Sequence, residues 1–166
     1  TVGVKAQVAN QTDKERKVRV QAVMTDPKGV DPAGETVPLT IPPHSTGEVD
    51  IPLVLSNVKP WSPDNPDLYT LSVEVWDAAG GDHSKDPAHL LDNRSIRVGV
   101  RTVEITEKGL VLNGSLFPEK LIGGNRHQDF ARLGNAVPNN LQWQDAVKLR
   151  KAGMRVIRSA HYPQDP

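Results

Sequence analysis

Two histidines in the last part of this 166-residue chain are the side chains best placed to do chemistry. His127 stands in the run G-G-N-R-H-Q-D and His161 in R-S-A-H-Y-P, about thirty residues further on. A neutral imidazole can both donate and accept a hydrogen bond, so a pair of them brought together could hold a polar ligand. Asn125, Asp129 and Arg158 lie within a few residues of one or the other and add an amide, a carboxylate and a guanidinium.

The elements around these residues decide whether they meet. Asn139 and Asn140 can cap a helix start, and Gly153 can supply the left-handed residue that closes one, which predicts a helix over 141–152. Its Trp143, Ala146, Val147 and Arg150 recur at three- and four-residue spacing and read as a packing face, with Trp143 assigned to helix packing and not to ligand stacking. Residues 154–160, M-R-V-I-R-S-A, are too short for another helix and rich enough in Val and Ile for a strand. Strand, helix and strand in that order imply a parallel pair with a right-handed crossover. Polar groups at the carboxyl ends of such strands converge on one rim, where both histidines would sit.

N-R-H at 125–127 and S-A-H-Y-P at 159–163 resemble motifs of glycoside hydrolase family 2, which includes β-galactosidases, β-glucuronidases and β-mannosidases. W-S-P-D-N-P-D-L-Y at 61–69 and V-G-V-R-T-V-E-I at 98–105 are also similar to that family, so the resemblance extends over nearly the whole chain. It implies an immunoglobulin-like antiparallel β-sandwich over 1–103, followed over 104–166 by the truncated βαβ start of a (β/α)8, or TIM, barrel. It also implies that the chain is a fragment of a retaining glycoside hydrolase, most similar to a β-galactosidase, with a carbohydrate as substrate. The missing remainder of the parent chain would then be a partner.

Retaining hydrolysis needs two carboxyl groups about 5 Å apart, one nucleophilic and one acidic. The resemblance places both glutamates on later barrel strands, beyond Pro166. Glu104, Glu107 and Glu119 belong to the junction and do not substitute for them, so no catalytic residue is assigned and the fragment alone is expected to be inactive. The substrate-binding residues it implies are His127, His161, Arg158, Asn125 and Asp129. The histidines would contact the sugar, and Arg158 would lie near the nucleophile, since a guanidinium keeps a neighbouring carboxylate ionised and oriented. Asn125 would meet the sugar or brace its loop, and Asp129 would meet a hydroxyl or hold Arg132. Gln128 stands where many members carry Glu, Ile122 where many carry Arg, and Ala160 where Ser or Thr is commoner.

The first hundred residues supply the scaffold. Val2, Val4, Ala6 and Val8 alternate, as do Val18, Val20, Ala22 and Met24, which predicts a hairpin turning over 10–17. Strands follow at 37–41 and 48–56, with Pro52 restricted to an edge or bulge, then the strongest at 69–75 and a last one through Ile96, Val98 and Val100. Turn signals throughout and no helix describe an antiparallel sandwich. Residues 104–113 read as a small hairpin, with Asn113 and Gly114 in the turn that follows.

Composition excludes some alternatives. Twenty acidic and twenty basic residues give zero net charge, so no electrostatic footprint for nucleic acid is present, and no apolar run reaches the roughly eighteen residues of a membrane span. Cysteine is absent, which rules out disulfides and thiolate metal sites. The compartment stays open, a bacterial periplasmic or secreted location included. His83 and His89 lie near Asp82, Asp86 and Asp92, but spacing alone fixes no coordination geometry. That stretch reads as a solvated loop, so neither a metal nor a cofactor is assigned. An isolated pair of barrel strands leaves edges open, which predicts non-native self-association. The competing reading is a non-catalytic β-sandwich module that binds carbohydrate or protein.

Overall fold

The computed structural model describes residues 1–30, 32–78, 86–118 and 120–163. Glu119, Asp82 and His83 lie outside them. The chain divides into two compact units, Thr1–Leu116 and Phe117–Pro166.

The first unit is a β-sandwich. Strands β1 (Val2–Asn10) and β4 (Ser45–Leu53) form one antiparallel sheet. The other sheet has the order β3-β2-β5-β6, with β2 at Arg16–Thr25, β3 at Pro32–Ile41, β5 at Tyr69–Asp77 and β6 at Leu90–Val98. The expected β1–β2 hairpin does not form. The two strands alternate as a hairpin would, but they belong to opposite sheets and turn their apolar residues to the same core. Period-two alternation states which face is buried and not which neighbour is paired.

Asn10 shows how the chain changes sheets. Its buried side-chain amide donates to the carbonyls of Lys14, Ile41 and Pro42 at 2.8, 3.1 and 3.0 Å. Its Oδ1 accepts from the N–H and hydroxyl of Thr12. One asparagine thus ties the β1–β2 arch to the β3–β4 arch, where His44 adds a 2.8 Å contact to Asp13. At both arches the chain passes from one sheet to the other, as it does again between β4 and β5.

The core is drawn from both inner faces: Val4, Val49, Ile51 and Leu53 on one sheet, and Val18, Val20, Ala22, Met24, Ile41, Leu71 and Val75 on the other. Burial on this scale drives the fold, at about 1.5–3 kcal/mol for each large aliphatic side chain fully removed from water. Pro32 and Pro38 lie on β3 and Pro52 on β4, both edge strands of their sheets, where a missing N–H costs no ladder bond. Tyr69 is buried, and its hydroxyl accepts from the Lys59 N–H at 2.9 Å, which ties the proline-rich crossing to the core.

That crossing is fastened to the strands after the sandwich. Trp61 lies over Gly99, where an added Cβ would come within 2.8 Å of the ring, and the Arg101 guanidinium sits 4.9 Å from the ring centroid. The Asn113 side chain donates to the Trp61 carbonyl at 3.0 Å and accepts from the Thr102 N–H at 3.1 Å. Asn113 and Gly114 have φ of 52° and 78°, the pair of positive values that a type I′ hairpin turn requires. They join β8 (Gly109–Leu112) to β9 (Ser115–Leu116), while β7 (Val103–Thr106) pairs with β8 on its other side.

The second unit holds β10 (Gly123–Arg126), α1 (Asn139–Lys151) and β11 (Val156–Ser159), with β10 and β11 parallel. Gly123 is a requirement of this pairing, because a Cβ there would collide with the Val156 carbonyl. The helix ends as the sequence indicates. Gly153 has φ of 88°, its N–H reaches the Arg150 carbonyl, and the Met154 N–H reaches that of Leu149, which together make a Schellman motif. Its start differs, since Pro138 occupies the cap position without a side-chain bond and Asn139 and Asn140 lie inside the first turn. The packing face also differs. Leu141, Gln142, Asp145, Val147 and Leu149 are half-buried, whereas Trp143, Ala146 and Arg150 are exposed, Trp143 to 72%. The recurrence at three and four fits both sets, and the side chain that decides between them is polar: Asp145 turns inward to meet an arginine.

Candidate functional site

The register of the two parallel strands sorts the site residues by face. Asn125 lies opposite Arg158 and Arg126 opposite Ser159. Side chains alternate along each strand, so Asn125 and Arg158 share one face and Arg126 and Ser159 the other. Arg126 reaches Asp145 of α1 at 2.9 Å, which marks its face as the one covered by the helix. Asn125 and Arg158 therefore point away from the helix, toward what would be the interior of a barrel.

The histidines follow immediately. His127 is the residue after β10, and His161 lies two residues past the end of β11. Their rings meet edge to face, with centroids 5.1 Å apart and planes at 82°. Tyr162 joins the cluster, its ring 6.0 Å from that of His127 at 74°. Arg158 Nη1 lies 3.0 Å from His161 Nδ1. A guanidinium has no acceptor, so this bond requires the lone pair on Nδ1 and leaves the proton of a neutral ring on Nε2. His161 then presents an Nε2–H donor while Arg158 keeps further N–H groups for an anionic neighbour.

The five predicted residues are brought together unequally. His127, His161 and Arg158 form a connected group, and Asn125 stands beside Arg158 in register. Asp129 is more distant, with its carboxylate 4.0 Å from His127 Nδ1, too long for a hydrogen bond. Gln128 is buried, and its amide approaches the Asn135 carbonyl at 3.5 Å across the loop. The recesses of the first unit, among them one of about 360 Å³ lined by Asp26, Glu35, Lys59 and Tyr69, hold none of these residues.

Asp86 accepts from the Ala88 N–H and contacts His89 Nδ1 at 3.2 Å, capping a short 3-10 turn at Pro87–His89. Among the described residues, no three potential ligands gather as they would around a metal ion.

Sequence reasoning missed Tyr162 and the Arg126–Asp145 pair. The pair was within reach. Once Asn125 is set on one face of β10, Arg126 must point to the other, and Asp145 is the one acid in the helix that covers it.

This arrangement, a β-sandwich followed by a parallel βαβ unit with its polar groups at the strand ends, is that of the family to which the chain belongs. Residues 1–101 match the model of glycosyl hydrolases family 2, and residues 103–166 match that of the TIM barrel domain of the same family. The chain is a member of glycosyl hydrolases family 2. A β-galactosidase of Thermoanaerobacter pseudethanolicus is 38% identical over 112 residues, covering 66% of this chain and 14% of the relative. One of Streptococcus thermophilus is 27% identical over 145 residues, covering 87% and 13%. Among solved structures, a glycosyl hydrolase family 2 member from Bacteroides cellulosilyticus superposes with a TM-score of 0.83 at 26% identity, covering 98% of this chain and 21% of the other. A Bacteroides uniformis β-glucuronidase, at 22% identity and a TM-score of 0.78, shares the fold. The chain therefore spans a small part of the length of these relatives.

Proposed function

We propose that the chain forms part of a retaining glycoside hydrolase acting on β-linked sugars, most similar to the β-galactosidases. In this reading His127, His161, Arg158, Asn125 and Asp129 build part of the sugar-binding rim, and both catalytic glutamates lie on barrel strands beyond Pro166. The observation that carries it is the meeting of His127 and His161 at the ends of two parallel strands, with Arg158 bonded to the second ring. The sandwich serves as support. The domain boundary falls near residue 103, a reading supported by the two family matches, which abut there, while β7 to β9 belong to the same compact unit as the sandwich.

The chemistry follows from the donor inventory. Imidazole N–H groups held at the rim can bond a sugar hydroxyl, and such bonds accelerate the reaction when they strengthen as positive charge develops on the ring. Arg158, on the interior face, would hold the nucleophilic carboxylate ionised and oriented. In the full-length protein, His127→Ala or His161→Ala is expected to lower kcat/KM on an aryl β-glycoside by about 2–4 kcal/mol of transition-state stabilisation. The assay uses aryl β-galactoside, β-glucuronide and β-mannoside. Undiminished turnover in both variants, or no cleavage of any of the three by the wild type, would overturn the reading and favour a binding module.

A further inference from the structure

We propose that the ion pair between Arg126 and Asp145 is a positioning device for the two rim histidines, an inference that rests on the function proposed above. Arg126 has contacts at both ends. Its guanidinium Nη2 donates to Asp145 Oδ2 at 2.9 Å, with side-chain exposures of only 18% and 28% for the two partners. Its backbone carbonyl accepts the Ala160 N–H at 3.1 Å. The residue after Arg126 is His127 and the residue after Ala160 is His161, so one residue holds the chain next to each ring.

The anchoring is specific to this pair. Asp145 is the one carboxylate in α1, and Arg126 Nε is buried with no partner among the described residues, so the bond to Asp145 sets the orientation of the head group. Ala160 is completely buried, which leaves that strand end no slack. Loss of the carboxylate would strand a shielded guanidinium, which would seek water and draw the end of β10 with it. The 5.1 Å ring-to-ring geometry would then relax, although neither histidine had been altered.

The test compares Asp145→Asn and Asp145→Glu with His127→Ala and His161→Ala in the full-length protein, measuring kcat, KM and Tm on the aryl β-glycoside cleaved best. Asp145→Asn keeps an acceptor oxygen and removes the charge. It is expected to lower kcat on the order of 10- to 100-fold, the scale of a displacement of about 1 Å at a catalytic site, with KM changed less than about threefold. Asp145→Glu keeps the ion pair but pushes the guanidinium back by one methylene, and it is expected to lower kcat several-fold at nearly wild-type Tm. This second variant decides the matter if Asp145→Asn does not fold. Wild-type kcat in folded Asp145→Glu, or an Asp145→Asn that lowers Tm alone, would overturn the positioning role while inactive histidine variants left the site standing. Active histidine variants would instead remove the proposed function, and this inference with it.

Discussion

At the scale of single residues, the molecule depends on polar side chains that satisfy several neighbours at once. In the βαβ unit Arg126 serves Asp145 with its side chain and Ala160 with its backbone carbonyl, and in the sandwich Asn10 does more with its side chain alone. Its amide group faces three carbonyl oxygens and its Oδ1 faces two donors, all within 3.1 Å. Asn10→Ala should cost about 1–3 kcal/mol, the penalty for leaving shielded polar groups unpaired. Asn10→Asp should cost at least as much despite its matching shape, because the carboxylate oxygen in place of the amide nitrogen would face three carbonyl oxygens with no hydrogen to offer them. Urea unfolding of the chain followed through Trp76, which is buried in β5, reads both values. An aspartate variant as stable as the wild type would mean that the amide donors contribute nothing.

At the scale of elements, the sequence was legible where one local rule decides and opaque where two arrangements satisfy the same pattern. The helix stop at Gly153, the Asn113-Gly114 turn and the parallel pairing of the strands around α1 rest on backbone requirements that few residues meet. The partner of β1 and the buried face of α1 do not. Alternation along β1 and β2 suits a hairpin and a sheet-to-sheet crossing equally, and the inward turn of half-buried Asp145 in place of Trp143 is set by Arg126, nineteen residues away. The site residues were legible through motif order, since nothing in the spacing of His127 and His161 states that their rings touch. One local rule is open to a direct check. Gly99→Ala would drive a methyl group into the Trp61 ring and should cost about 1–3 kcal/mol by overpacking. A fall in the thermal midpoint together with a change in Trp61 environment is expected, and an unchanged melt would show that the ring yields freely.

At the scale of the whole molecule, the two units differ in what they bury. The sandwich encloses a continuous core, whereas no residue of α1 is buried and the four residues of β11 are all exposed. Two parallel strands and one helix leave strand edges unpaired and faces uncovered. In the isolated chain the amides of β10 and β11 are therefore expected to exchange quickly, while those of β5 exchange slowly. Equal protection of the two sets in a proven monomer would contradict this. The exposure of Trp143 has an optical consequence. The three tryptophans occupy distinct settings: Trp76 buried with its indole N–H on Glu74, Trp61 beneath a guanidinium, and Trp143 in water. Iodide should quench Trp143 long before Trp76. On unfolding, Trp76 moves from the core into water while Trp143 is already there, so the change in intrinsic emission reports the loosening of the sandwich without any added label.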